Sequence, residues 1–577
     1  MPGGPRFARG RLAALILVLV LGSATAPSAR AESQTPVPAP LASSHSVAAP
    51  AAQPAQPAQP AGLFEDVFHK IETFYIEHVP VATLAQDVLK GLDGIGGFGE
   101  VTAGGRVAFF FHGRPSVARA APDSDDIPGW AAVLAEALAE IHRHDASLPA
   151  TNEPLVATAL TTMLGDLDRF SHYVGGEAAR AQQAMRDGYG GVGMTLDYTG
   201  VLPRIVDLVP DGPSAVAGLA IGDALIAIEG TPIHGLDPET VSQRLRGKSD
   251  TQVAVTVLRP GHHRPLSFTL TRRLIVAPTV TLTRDRRLAI LRITMFNRDT
   301  ADSVGAALNG LRDEAGGGQN EIDDGRGKAG DGLEGLILDL RGNPGGLLEQ
   351  SSATASFFLD GGLVATARGR HPDSRQTFHA GTTPLLPTLP MVVLVDGDTA
   401  SAAEVLAAAF QDRRRAVVVG SASFGKGTVQ IALPLVNQGE MTLTWARLFT
   451  PLGTSLADHG IVPSFCTAHA SGPVSHAEVE RVLGAGLAPI PLALYPRAEL
   501  TPAQWQELRK SCPPRPAHAS ALRFDLDMAV ARRLLTDPAL YREALDPPGI
   551  SIAQTPRPEV QTPQPEIPTA TRVYPGR

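Results

Sequence analysis

The chain has 577 residues, room for three or four domains at about 150 residues each, and 43% of it is hydrophobic, which is ordinary for a globular protein. Its formal charge of −8 carries no basic excess to suit nucleic acid, and it is not acidic enough to keep a whole chain unfolded. Two widely spaced cysteines do not make a zinc site, and the scattered histidines have no carboxylate partners at metal spacing, so neither metal nor cofactor is implied.

The N-terminus reads as an export signal. Arg6, Arg9 and Arg11 form a positive start, residues 12–21 are almost unbroken apolar, and Ala29-Arg30-Ala31 supplies the small residues that a signal peptidase reads. An apolar run of about 10 residues falls short of the roughly 20 that span a bilayer, which favours cleavage after Ala31 over an uncleaved anchor. The mature protein is then expected in the periplasm, soluble or peripherally held at the inner membrane. Cys466 and Cys512 are expected to pair as a disulfide in that oxidising compartment.

A Pro/Ala-rich linker follows over 32–62, and the tail at 547–577 has the same character, too poor in large apolar residues to build a core. Region 63–187 is expected to be helical. Apolar residues recur at helical spacing over 63–89, and further helices are predicted over 130–143 and 154–167. Between them, over 96–122, glycine-punctuated alternation predicts an inserted hairpin.

Residues 188–274 change rhythm. Short β-like runs at 192–198, 203–208, 224–228, 253–258 and 266–270 alternate with turn signals, and two helical stretches interrupt them at 214–217 and 238–245. Ahead of the first run stand Gly190, Gly191, Val192, Gly193 and Met194, a loop able to aim backbone N–H groups at one carboxylate while a peptide adds as a strand alongside. With Ala217-Gly218-Leu219 and Gly222-Asp223-Ala224-Leu225-Ile226 following, the stretch resembles a PDZ domain of the circularly permuted type found in bacterial proteases.

Residues 275–463 return to longer alternation of strand and helix, interrupted by a Gly/Asp-rich insert at 314–332 that reads as a mobile surface loop. Met391-Val392-Val393-Leu394-Val395 reads as a strand that leads through a turn to Ser401, where a helical run begins. A serine there sits at a helix N-terminus, which favours developing negative charge, though with Glu404 three residues on it also fits a plain capping box. Lys426 lies between Gly425 and Gly427 among apolar strands, where desolvation would leave its amine neutral and basic, with Gln430 able to orient it. Gly420-x4-Gly425-Lys426 approaches a phosphate loop, but Gly427 stands where the magnesium-holding Ser or Thr is needed. Residues 336–346 form a buried strand running into Gly342-Asn343-Pro344-Gly345-Gly346, whose backbone can donate to an oxyanion.

Taken together, Asp339-Leu340-Arg341-Gly342-Asn343-Pro344-Gly345-Gly346, the Ser401-Ala402-Ala403-Glu404 turn and Phe424-Gly425-Lys426-Gly427-Thr428-Val429-Gln430 resemble, in that order, the C-terminal processing (tail-specific) peptidases. Residues 163–173 resemble the helical segment that precedes the PDZ domain in that family. The resemblance implies a multi-domain α/β and α+β fold: a helical N-terminal region, a PDZ domain, a crotonase-like catalytic core, and a mostly helical C-terminal part at 464–546. It implies Ser401 as nucleophile, Lys426 as base, Gln430 in support, and backbone N–H groups of Ala402 and of Gly345 or Gly346 as oxyanion donors. The partners implied are proteins or peptides with accessible C-terminal tails, and an adaptor protein or a homo-oligomer is compatible with the reading. A catalytically silent scaffold would show the same PDZ features but has no need of Ser401, Lys426 and Gln430 together. A thioester-acting enzyme of the same core is disfavoured by export.

Overall fold

The computed structural model describes residues 60–145, 147–148, 152–314, 332–457, 459–469, 474–485, 501–515 and 524–546. The expected export signal, most of the expected linker, the interior of the 314–332 insert and the expected tail from 547 lie outside them.

The N-terminal region packs helices α1 (Pro60–Phe74), α2 (Val81–Leu92), α3 (Ile127–His144) and α4 (Glu153–Leu167) around one apolar core, with Phe64, Phe68, Leu84, Trp130 and Leu134 fully buried. The first helix starts at Pro60, inside the stretch assigned from sequence to the linker. The single helical pattern over 63–89 is two helices, because Pro80 takes an extended conformation as the cap of α2, and a proline disfavours helix at the residue before it. The hairpin expected over 96–122 is a three-stranded meander, β1 (Phe98–Ala103), β2 (Arg106–Phe111) and β3 (Arg114–Ala120). Gly104-Gly105 and His112-Gly113 all take positive φ, the signature of two-residue turns between twisted strands, so the segment turns twice. After α4 come the short strand β4 (His172–Val174) and helix α5 (Gly176–Asp187).

The next module begins at β5 (Tyr189–Gly191) and contains β6 (Met194–Asp197), β7 (Arg204–Leu208), α6 (Pro213–Val216), β8 (Ala224–Ile228), β9 (Thr231–Pro232), α7 (Pro238–Leu245), β10 (Gln252–Leu258) and β11 (Leu266–Thr271). Its sheet runs β11-β10-β8-β7-β6, so β6 is an edge strand. Its small core centres on Ile205, Leu225, Ile228, Val241, Val255 and Val257. β5 pairs with β12 (Arg273–Ile275) as a separate ribbon that closes the module.

The largest sheet is β13 (Val280–Asp285), β14 (Leu288–Ile293), β15 (Gly335–Asp339), β18 (Met391–Val395), β19 (Val417–Gly420) and β22 (Phe465–Cys466), in that order and parallel from β14 onward. β15 and β18 are buried at every residue, as strands covered on both faces must be, which is why they read as unbroken apolar runs. Helices α8 (Thr300–Glu314), α9 (Leu348–Ala355) and α10 (Ala402–Asp412) cover one face. Helices α11 (His476–Gly484), α13 (Phe524–Leu535) and α14 (Pro538–Leu545) cover the other, and α12 (Pro502–Ser511) is tied on by the Cys466–Cys512 disulfide. A second sheet, β17 (Gln376–His379), β16 (Leu363–Arg368), β21 (Glu440–Phe449) and β20 (Thr428–Pro434), receives β4 on β21. Leu433, Met441 and Leu443 of that sheet enter the N-terminal core, so the N-terminal region and the second sheet share packing.

Candidate active site and peptide groove

β15 and β18 end side by side, and the loops leaving their C-terminal ends form the site. After β18 the chain reaches Ser401 at φ 55, a conformation that L-residues seldom adopt and that costs on the order of 1–3 kcal/mol. Several bonds hold it there. Ala400 N–H donates to Asn343 O at 2.9 Å, and Ser401 N–H donates to Glu404 Oε2 at 2.7 Å.

Glu404 does more than cap its helix. Its side chain is fully buried, and its carboxylate also accepts from Ser423 Oγ, from Gly425 N–H at 2.7 Å and from Lys426 N–H at 2.9 Å. The Ser401 and Lys426 nitrogens meet on the same oxygen, so they lie less than about 6 Å apart. Phe424 N–H donates to Thr399 O at 2.9 Å, a second tie between the serine turn and the lysine loop. Burial pushes the Glu404 carboxyl up, against four hydrogen bonds that favour its anion. Along the sequence Glu404 shows only as a capping-box residue; its place in an apolar helical run is the available sign of more.

Lys426 is largely enclosed. Burial pulls its amine below the ordinary lysine range, and the Glu404 and Asp168 carboxylates resist that fall. Its Nζ lies over the Phe170 ring, 5.3 Å from the centroid. Asp168 is fixed in the loop between α4 and β4, accepting from Phe170 N–H at 2.8 Å, from Ser171 N–H at 2.9 Å and from Thr444 Oγ1 at 3.0 Å. Gln430, expected beside the amine, spends its Nε2 on Thr428 Oγ1 at 2.8 Å and Thr444 Oγ1 at 3.3 Å, so its link toward Lys426 runs through Thr444 and Asp168.

The loop after β15 approaches the serine closely. A Cβ at Gly345 would meet Ser401 Cβ at 2.7 Å, and one at Gly346 would meet Phe296 O at 2.0 Å; both glycines take positive φ. Gly345 N–H already donates to Asn343 Oδ1 at 2.9 Å, which leaves Gly346 as the better candidate donor beside Ala402, the first residue of α10. The loop stands on a buried ion network. Asp339 binds Arg341 at 2.8 Å, Arg341 reaches Asp527 at 3.1 Å, and Asp527 also takes Arg515 at 3.0 Å. Burial acts to raise the Asp339 carboxyl, yet Arg341 and Arg292 hold it below the usual carboxylate range. Arg515 belongs to the segment that the disulfide pins, and Gly397 N–H donates to its carbonyl at 2.7 Å.

Far along the chain from these loops, edge strand β6 and helix α7 enclose an open groove of ≈ 600 Å³. Gly191, Val192, Gly193, Met194, Ser242, Leu245 and Arg246 are among its lining residues. Gly190 backs the groove instead: Gly247 N–H donates to its carbonyl at 2.9 Å, and any Cβ there would meet Gly247 O at 1.9 Å.

Comparison with known proteins agrees with this architecture. Residues 287–466 match peptidase family S41, and residues 204–259 match the PDZ domain. The chain is 34% identical to the carboxy-terminal-processing protease of Bartonella bacilliformis, over 54% of this chain and 69% of that one. The chain belongs to the carboxy-terminal-processing proteases of family S41. The carboxyl-terminal-processing protease of a Synechocystis species is 31% identical over 55% of this chain and 71% of its own. Among solved structures, the photosystem II D1 C-terminal processing protease aligns with 70% of this S41 peptidase and 92% of itself, at 23% identity and a TM-score of 0.34.

Proposed function

We propose that this S41 peptidase is an exported serine endopeptidase that captures protein tails in its PDZ groove and cuts peptide bonds with Ser401 and Lys426. The observation that carries the reading is the single buried carboxylate, Glu404, that binds the main chain of both residues, while burial pulls the lysine amine below its ordinary range. Ser401 Oγ attacks the scissile carbonyl carbon as its proton passes to Lys426 Nζ. N–H groups of Ala402 and Gly346 receive the oxyanion, and each such donor typically supplies about 3 kcal/mol of barrier lowering. Lys426 then returns the proton to the departing amine, and water deprotonated by the same amine releases the acyl group.

The substrate's tail pairs with β6, its carboxylate at the 191–193 loop. Gln430 acts at one remove, by holding the Thr444–Asp168 pair that faces the amine. The mature chain begins after Ala31 in the periplasm, which N-terminal sequencing of the secreted protein checks.

The decisive test is digestion of an unstructured protein with a free C-terminus by wild type, Ser401→Ala and Lys426→Ala. A loss of roughly a thousand-fold or more in both variants is expected. Undiminished cleavage in either variant would overturn the Ser–Lys reading, whereas no cleavage by wild type would leave only the tail-binding scaffold.

A further inference from the structure

The S41 match covers 287–466, yet the ring over which the Lys426 amine lies comes from residue 170. β4 adds to β21, and Asp168 anchors Phe170 N–H and Thr444 Oγ1 together, so the N-terminal region delivers that ring to the catalytic loop as part of its own fold. Phe170 stands 6.5 Å from the partly exposed Phe424 ring and carries the Arg169 guanidinium 4.7 Å from its centroid. A ring face within about 6 Å of an ammonium attracts it, and the attraction grows as water is excluded. The same ring excludes water, which favours the neutral amine.

We propose that Phe170 is a positioning residue for Lys426: its apolar body keeps the resting amine dry, and its π face receives the ammonium that forms when Lys426 takes the Ser401 proton. The inference rests on the Ser–Lys reading above. Other charged groups around the amine are Glu404 on α10 and Asp168 and Arg169 on the α4–β4 loop, with Arg509 of α12 bonded to Phe424 O. Phe170 differs from all of these in acting on both protonation states, in opposite senses.

That duality makes the test. Phe170→Leu keeps the apolar body and removes the π face, so the acid limb of kcat/KM against pH should move down by about half a unit. Phe170→Ala admits water, so the limb should move up, by about a unit or more. Phe170→Trp should stay with wild type. A merely structural ring would lower rates without moving the limb. Coincident limbs in the Leu and wild-type enzymes, or Leu and Ala shifts of the same sign, overturn the proposal. Should the Ala variant not fold, Leu against Trp decides alone. If Lys426→Ala retains activity, the Ser–Lys reading falls; if it is inactive and the limbs still coincide, only the role of Phe170 falls.

Discussion

Two glycine-rich loops, 190–193 and 342–346, face related tasks in different surroundings. The first ends on an edge strand beside an open groove and is held by a two-stranded ribbon and a small apolar core. The second leaves the middle of a sheet covered on both faces and stands on a buried network of Asp339, Arg341, Asp527 and Arg515. The proposed ligands explain the contrast. A tail carboxylate exists before it binds and supplies its own strand, so an accessible edge suffices. An oxyanion exists only in passing, so its donors must already be in place, which a buried network can enforce.

The largest effect that would break this comparison is expected from Asp527→Ala. It strips a partner from the buried Arg341 and the part-buried Arg515, and a loss of about 3–5 kcal/mol is typical of breaking buried pairs, read by urea unfolding. A loss under about 1 kcal/mol would mean that the catalytic loop does not depend on the network. Gly346→Ala forces a Cβ onto Phe296 O. Its turnover is expected to drop roughly a hundred- to a thousand-fold with little change in KM, and a pure KM effect would contradict an oxyanion role.

Activity should rise with pH through the lowered Lys426 value and be lost below it, because only the neutral amine accepts a proton. Stability has the opposite kind of group in Asp339. Its depressed pKa contributes stability that is present above the ordinary carboxylate value of 3.8 and is lost as pH falls through the folded-state value, so the contribution should disappear only in acid below that point. The smallest effect is expected in the groove. Gly193 sits at φ 70, and a Cβ added there would lie 3.2 Å from Val209 Cβ. Gly193→Ala should therefore weaken binding of a fluorescent tail peptide roughly 5- to 30-fold, the equivalent of about 1–2 kcal/mol of backbone strain.

Much of this arrangement is legible along the chain. The runs at 391–395 and 238–245 coincide with β18 and α7, because a covered parallel strand and an amphipathic helix each write their burial into local spacing. Ser401, Lys426 and the 342–346 loop stand out because glycine, strand ends and a lone cation among apolar residues are local signals. The second turn of the 98–120 meander escapes such reading because His112, unlike the paired glycines before it, gives no strong sign of positive φ. Gln430 looks like a direct partner of the amine because sequence spacing cannot say which hydroxyls compete for its amide.

By itself, the sequence determined the order of modules, the strands and helices that carry the loops, and the residue types capable of the chemistry, since all of these depend on neighbours a few positions apart. Tertiary structure alone decided that Glu404 joins the serine turn to the lysine loop, that Phe170 covers the amine from another region, and that Asp527 braces a loop 186 residues away. Those contacts form between surfaces that meet only after burial of the apolar faces has brought distant segments together, and no local pattern records which polar groups are then left facing one another.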